Sequence, residues 1–190
     1  MSQKPDPHIS AEVKINLTIL VLGAMVMILN ETALSVALPT IMADFGIPAT
    51  SAQWLLTGFL LTMGVVIPTT GFLMDKFTTR QIFLASSGMF LAGTVLAALA
   101  PAFGVLLVGR VFQAAGTALM IPTLMMVAMT LVPPQRRGSV MGIISVVISV
   151  APALGPTVGG FVLSMSSWHV IFWTMVPLLG LCLLYTSDAA

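Results

Sequence analysis

Glu31 and Arg110 are ionisable residues set inside long apolar runs. An ionised side chain at the middle of a bilayer costs about 2.5–3.5 kcal/mol on insertion scales, so such groups face a bundle interior or a wet cavity. Glu31 lies seven residues before Leu38, and Arg110 lies seven residues after Phe103. If Leu38 and Phe103 mark the outer ends of two membrane-crossing helices, both charges sit about 10 Å below one surface. Equal depth and opposite sign predict that the two see each other. A carboxylate placed there could carry protons, because desolvation favours its neutral form and the guanidinium its ionised form. Arg110, Gln113 and Thr117 fall within about 60° on a helical wheel and form one polar stripe. Glu31 shares a face with Ser35, and Asn30 stands one step round.

The elements that must hold these residues follow from the hydrophobic runs. The chain is 58% hydrophobic and 7% charged, with a net charge of +1 and a mean hydropathy of +1.09. A soluble domain cannot hide that much apolar surface, and helices are the structures that span a bilayer in unbroken runs. Runs cover residues 15–38, 53–74, 81–100, 103–132, 139–163 and 170–181. About 20 apolar residues cross a hydrocarbon core, so the first five are long enough and the sixth is short. Of the seven lysines and arginines, Lys4, Lys14, Lys76, Arg80, Arg136 and Arg137 fall in the amino-terminal segment or in the second and fourth connections. Basic loops stay inside, which predicts a cytoplasmic amino terminus with residues 1–14 as a short cytosolic tail. The fold class is therefore all-α and integral to the membrane, with the lipid bilayer as its first partner. A net charge near zero argues against nucleic acid.

Residues 182–190 read Cys-Leu-Leu-Tyr-Thr-Ser-Asp-Ala-Ala, which resembles the translation of a transposase sequencing adapter. They are read as a non-native tail, leaving residues 15–181 as a six-helix unit with a truncated sixth helix. Without that tail the chain has no cysteine, and no disulfide or thiolate chemistry is expected. His169 has no second histidine, cysteine or acid at metal-ligand spacing, so no metal site is expected. Glu31 is the single acid inside a run, so paired-carboxylate or nucleophile-and-base machinery is missing and an enzyme is not expected.

In the fifth run Ala151, Gly155 and Gly159 recur every fourth residue, a ridge on which another helix backbone can come close. Pro152 and Pro156 interrupt the same helix, and Pro156 removes a backbone hydrogen bond and crowds the carbonyl of residue 152. Gly142, then Ala151, then Gly155-Pro156-x-x-Gly159-Gly160 resembles the antiporter motif of the major facilitator superfamily. Gly71 through Asp75-Lys76 to Arg80 is similar to its loop motif between helices 2 and 3, with Thr78 where glycine is usual. The stretch from Leu107 through Arg110 and Gln113 to Gly116 resembles its fourth-helix motif. Leu29-Asn30-Glu31-Thr32 through Pro39 resembles the first-helix signature of the fourteen-helix drug:proton antiporters, in the lincomycin-exporter-like arrangement. Aspartate is common there in place of Asn30, and the acid here lies about 100° further round the helix.

The resemblance implies the amino-terminal six-helix half of a major facilitator fold, built from two inverted three-helix repeats and completed by a second, carboxy-terminal half. A faint internal echo accompanies it: Thr32-Ala33-Leu34 in the first run and Thr117-Ala118-Leu119 in the fourth. The resemblance further implies proton-coupled export of amphipathic or cationic drugs across a bacterial inner membrane, driven by the proton gradient without a cofactor. Glu31 and Arg110 would couple to protons, and Asn30, Glu31, Gln113, Thr117 and Met27 would meet the drug. Gly71, Asp75, Lys76, Arg80, Ala151, Gly155, Pro156, Gly159 and Gly160 would govern closure between the halves. An uptake symporter for a small solute on the same fold is the competing expectation, disfavoured by the antiporter-like motif and the scarcity of other buried polar groups.

Overall fold

Long apolar runs with no internal partner for a β-ladder satisfy their backbone groups as helices, and a computed structural model describing residues 10–188 shows this throughout. The helices are α1 (Ala11–Phe45), the short α2 (Ala49–Ala52), α3 (Trp54–Lys76), α4 (Thr79–Ala98), α5 (Phe103–Leu131), α6 (Pro134–Met165) and α7 (His169–Asp188). Five spans are long and apolar enough to cross a membrane, α2 and α3 counting as one.

Helix ends depart from the apolar runs because capping chemistry sets them. Ser10 caps α1 by accepting from the Val13 N–H, so Ala11 to Lys14 are helical where the sequence reads as tail; residues 1–9 lie outside the described residues. α1 also continues through Pro39 and stops at Gly46, whose left-handed φ of 61° lets its N–H return to the Met42 carbonyl. Thr78 caps α4 in a reciprocal capping box with Gln81, so the residue that departs from the loop motif stops one helix and starts the next. Arg137 donates to the Val132 carbonyl at 3.0 Å, closing the end of α5. α7 runs past Leu181 to Asp188, because Cys182, Leu183 and Leu184 are apolar and nothing among them breaks a helix.

The bundle joins two three-helix units: α1 to α4, with α2 and α3 as one span, and α5 to α7. Their main contacts are symmetric under exchange. α4 packs on α5 as α7 packs on α1; α6 packs on α1 as α3 packs on α5; and α1 meets α5 and α4 meets α7 across the middle. The Thr-Ala-Leu echo falls at the matching crossings. Ala33 of α1 lies against Gly155 and Gly159 of α6, and the Ala118 carbonyl of α5 accepts from Thr70 of α3 at 3.4 Å.

Two cores fill the bundle. One gathers Met27, Phe83, Phe90, Met120 and Leu124; the other gathers Ala33, Leu34, Leu55, Leu106, Trp168 and Phe172. Trp168 closes the second by donating its indole N–H to Asp44 at 3.0 Å, with Phe45, Phe103 and His169 against its ring or its neighbours. A close backbone crossing lies between α4 and α5. A Cβ on Gly93 would come within 2.5 Å of the Gly109 carbonyl oxygen and 2.8 Å of the Gln113 nitrogen, and one on Gly116 within 2.5 Å of the Ser86 carbonyl oxygen. Gly93→Val should therefore cost about 1–3 kcal/mol, as overpacking does. Gly88→Ala, on the same helix with open space at its Cβ position, should leave thermal unfolding of the detergent-solubilised protein nearly unchanged. Equal unfolding temperatures for the two variants would refute that close approach.

Candidate functional site

Arg110 projects from α5 with no exposed surface. A guanidinium carries five N–H donors and has to find acceptors for them or leave them unsatisfied at high cost. Nη1 donates to the Gln113 side-chain oxygen at 2.9 Å and to the Asn30 side-chain oxygen at 3.4 Å. Nε makes a long bond of 3.5 Å to the Leu55 carbonyl on α3. The guanidinium carbon sits 4.3 Å from the centroid of the Phe59 ring, a cation–π contact from the same helix.

A second layer holds the first. The Gln113 amide nitrogen donates to the Thr94 hydroxyl at 2.8 Å, and that hydroxyl donates back to the Phe90 carbonyl at 2.7 Å. Thr94 reaches across from α4 because Gly93 and Gly109 let the two backbones approach. Thr117 is buried and donates to the Gln113 carbonyl at 3.0 Å. The polar stripe expected on this helix is thus entirely buried, with Arg110 at its amino-terminal end.

Glu31 and Arg110 share one cleft of about 210 Å³, which Thr32, Ser35, Leu56, Phe59 and Leu60 also line. Within it the guanidinium's hydrogen bonds go to Asn30, Gln113 and the Leu55 carbonyl rather than to the carboxylate. The hundred degrees between neighbouring residues explains the difference from the direct pairing expected. Asn30 turns inward onto α5 and is fully buried, whereas Glu31 is half-buried and faces the cleft with Ser35.

The remaining expected site residues fall in three places. Met27 is fully buried in the core with Phe83, Phe90 and Met120, so it does not line the cleft; its thioether fills space between helices. Ala151, Gly155 and Gly159 are buried against α1, Gly155 meeting Thr32 and Ala33 and Gly159 meeting Ala33. That ridge packs within this six-helix unit, directly behind the residue that follows Glu31. Pro156 is exposed and Gly160 partly so, with open space at its Cβ position, and Gly142 lies exposed and off the ridge, as its phase implies. Gly71, Asp75, Lys76 and Arg80 cluster at the α3–α4 turn, all exposed, with the Lys76 ammonium 4.3 Å from the Phe72 ring centroid.

Thr94, Phe59 and the Leu55 carbonyl escaped the sequence reading. The spacing of Gly93 and Ala97 opposite Gly109 and Gly116 was the available signal for the first. Nothing local marks a phenylalanine as a cation's neighbour. Among the described residues no cluster of histidine, cysteine and acid could hold a metal.

This network makes a stability prediction. Gln113→Leu takes the strongest acceptor from Arg110 and should cost about 1–3 kcal/mol, whereas Thr94→Val removes only the outer link and should cost less. Chemical denaturation in detergent ranks the two; an equal or reversed order would mean that Gln113 does not carry the arginine.

The sequence profile of the Major Facilitator Superfamily matches residues 20–188. The chain is 46% identical over 169 residues to an uncharacterized MFS-type transporter, YcnB, of Bacillus subtilis, covering 89% of this chain and 36% of that protein. It is 44% identical over 166 residues to the lincomycin resistance protein LmrB of Bacillus subtilis, covering 87% and 35%. It is 33% identical over 178 residues to the multidrug export protein EmrB of Haemophilus influenzae, covering 93% and 35%. The chain therefore spans about a third of the length of these curated relatives. Among solved structures, peptide transporter POT in complex with sulfate superposes with a TM-score of 0.80 at 18% identity, covering 91% of this chain and 37% of that one. A bacterial homolog of the human lysosomal transporter Spinster, in an inward-facing conformation, gives 0.72 at 20%, covering 95% and 43%. With five membrane-length spans and a shorter sixth helix in two exchanged units around a buried arginine, a fold shared with these transporters and a profile matched from residue 20 to residue 188, this chain belongs to the Major Facilitator Superfamily.

Proposed function

We propose that the whole transporter exports amphipathic, often cationic compounds from a bacterial cell in exchange for protons, with the amino terminus in the cytoplasm and a second half completing the cavity. The observation that carries this reading is the half-buried carboxylate of Glu31, facing a cleft whose other wall is the guanidinium of Arg110. Because Asn30 and Gln113 serve the arginine's Nη1, the Glu31 carboxylate is left to exchange a proton or to meet a cation. Proton and compound compete for one group, and that competition is what exchange requires. Relatives named for lincomycin resistance and multidrug export support the direction of traffic.

α6 governs where Glu31 sits. Its Gly155–Gly159 ridge touches Thr32 and Ala33, so a tilt of α6 changes the packing directly behind the carboxylate. Asp75, Lys76 and Arg80 at the cytoplasmic turn would then act as a latch against the second half.

Three measurements check this reading. In proteoliposomes of the full-length transporter, Glu31→Gln should reduce substrate-evoked proton movement to that of empty liposomes; full retention removes Glu31 from the mechanism. Gly155→Val should impair export more than Gly160→Ala, because a branched side chain at 155 collides with Thr32 whereas position 160 has open space. For orientation, a membrane-impermeant maleimide added to intact cells should label Ser166→Cys and leave Gln135→Cys unlabelled; the opposite pattern inverts the topology.

A further inference from the structure

Two buried N–H donors beside this cleft have no acceptor. Arg110 Nη2 and Asn30 Nδ2 are both fully buried, and neither finds a hydrogen-bond partner among the described residues. They belong to neighbouring groups, because the same two side chains are joined through Arg110 Nη1 and Asn30 Oδ1. The rest of the guanidinium is committed: Nη1 to Asn30 and Gln113, Nε to Leu55 and one face to Phe59. Only the Nη2 edge remains, on a side chain that lines the cleft with Glu31.

Unpaired buried donors in a membrane interior are costly, and the cost falls on whichever state of the transporter leaves them bare. An acceptor oxygen entering the cleft relieves it. Its charge is constrained by the opposite wall: an anion would be repelled by Glu31, whereas an uncharged carbonyl oxygen meets no such penalty. An amine elsewhere on the same molecule reaches Glu31, and its apolar part lies along Leu56, Phe59 and Leu60.

We propose that Arg110 Nη2 and Asn30 Nδ2 form an acceptor-oxygen subsite, so that the transported compounds are amines that also carry an uncharged carbonyl group. This names the substrate class of the cleft and rests on the export reading above. It makes Arg110 a ligand-binding residue as well as a partner of Glu31. A bare lipophilic cation uses one wall of the cleft, and an amino-amide uses both.

The test uses the purified full-length transporter with bound tritiated tetraphenylphosphonium, a cation lacking any acceptor oxygen. Displacement is compared for 4-phenylbutylamine and N-(2-aminoethyl)benzamide, which share ring, amine and spacing and differ by the amide. Relative to wild type, the affinity of the amide against the amine should fall about tenfold in Arg110→Lys, the ratio that one hydrogen bond from a charged donor supports. A smaller fall is expected in Asn30→Leu, which removes Nδ2 and keeps the guanidinium. If Arg110→Lys does not fold, Asn30→Leu decides alone. An unchanged ratio in the folded variants overturns the subsite while leaving export intact, and would mean that Glu31 or water serves Nη2. Absence of tetraphenylphosphonium binding, together with absence of proton release by either amine, overturns the export reading and the subsite together.

Discussion

A guanidinium with no exposed surface must be satisfied from inside the bundle, and four helices are arranged to do so. α5 supplies Arg110 and Gln113, α1 supplies Asn30, α3 supplies the Leu55 carbonyl and the Phe59 ring, and α4 supplies Thr94 behind Gln113. None of these contacts forms unless the backbones come close, and the glycines at the α4–α5 crossing permit it. A Cβ at position 93 would push against the Gln113 backbone itself. The packing of small residues and the solvation of a charge are thus one constraint in this fold: loosening the crossing withdraws Thr94, and withdrawing Thr94 frees Gln113 from the arginine.

The arginine's contacts also explain how a neutral asparagine can stand beside an acid. A single carboxylate asked both to pair with Arg110 and to exchange protons would have its charge held by the first task. On the proposed exchange reading the tasks are divided between adjacent residues whose side chains leave the helix about 100° apart. Asn30 gives an oxygen to the guanidinium without adding charge, and Glu31 keeps a cleft-facing carboxylate under the influence of the same guanidinium. The departure from the common aspartate is therefore a redistribution of roles along one turn of α1.

Much of the architecture was legible in the sequence because hydrocarbon imposes it: five runs longer than a bilayer is thick, and charges that can go only inward. The polar stripe on α5 and the shared face of Glu31 and Ser35 came from helical phase alone, and the structure buries or clefts them accordingly. Helix ends were less legible, since Ser10, Gly46 and the Thr78–Gln81 box set them by hydrogen bonds rather than hydropathy. Met27 shows the limit of composition, because a thioether looks the same in a core as in a binding wall. Asp44 and Trp168 stand 124 positions apart, one in the last turn of α1 and the other just before α7, and only tertiary packing turns an acid and an indole into a hydrogen bond. The same holds for Phe59 over Arg110.

The symmetry of the bundle gives these particulars a common origin. Exchanging the two three-helix units maps the α1–α6 contact onto α5–α3, and the Thr-Ala-Leu echo places Ala33 and Ala118 at the two equivalent crossings. At one of them the neighbour is a glycine ridge; at the other it is a threonine hydroxyl bonded to a carbonyl. A glycine ridge holds a helix by close van der Waals packing, whereas a hydroxyl adds a directional polar contact. The two crossings are therefore chemically unequal: α3 meets the helix that carries Arg110 through a hydroxyl, and α6 meets the helix that carries Glu31 through close backbone packing. Both bear on the same network, because α1 carries Asn30 beside Glu31 and Asn30 accepts from Arg110, so a displacement of α1 reaches the carboxylate and the guanidinium together.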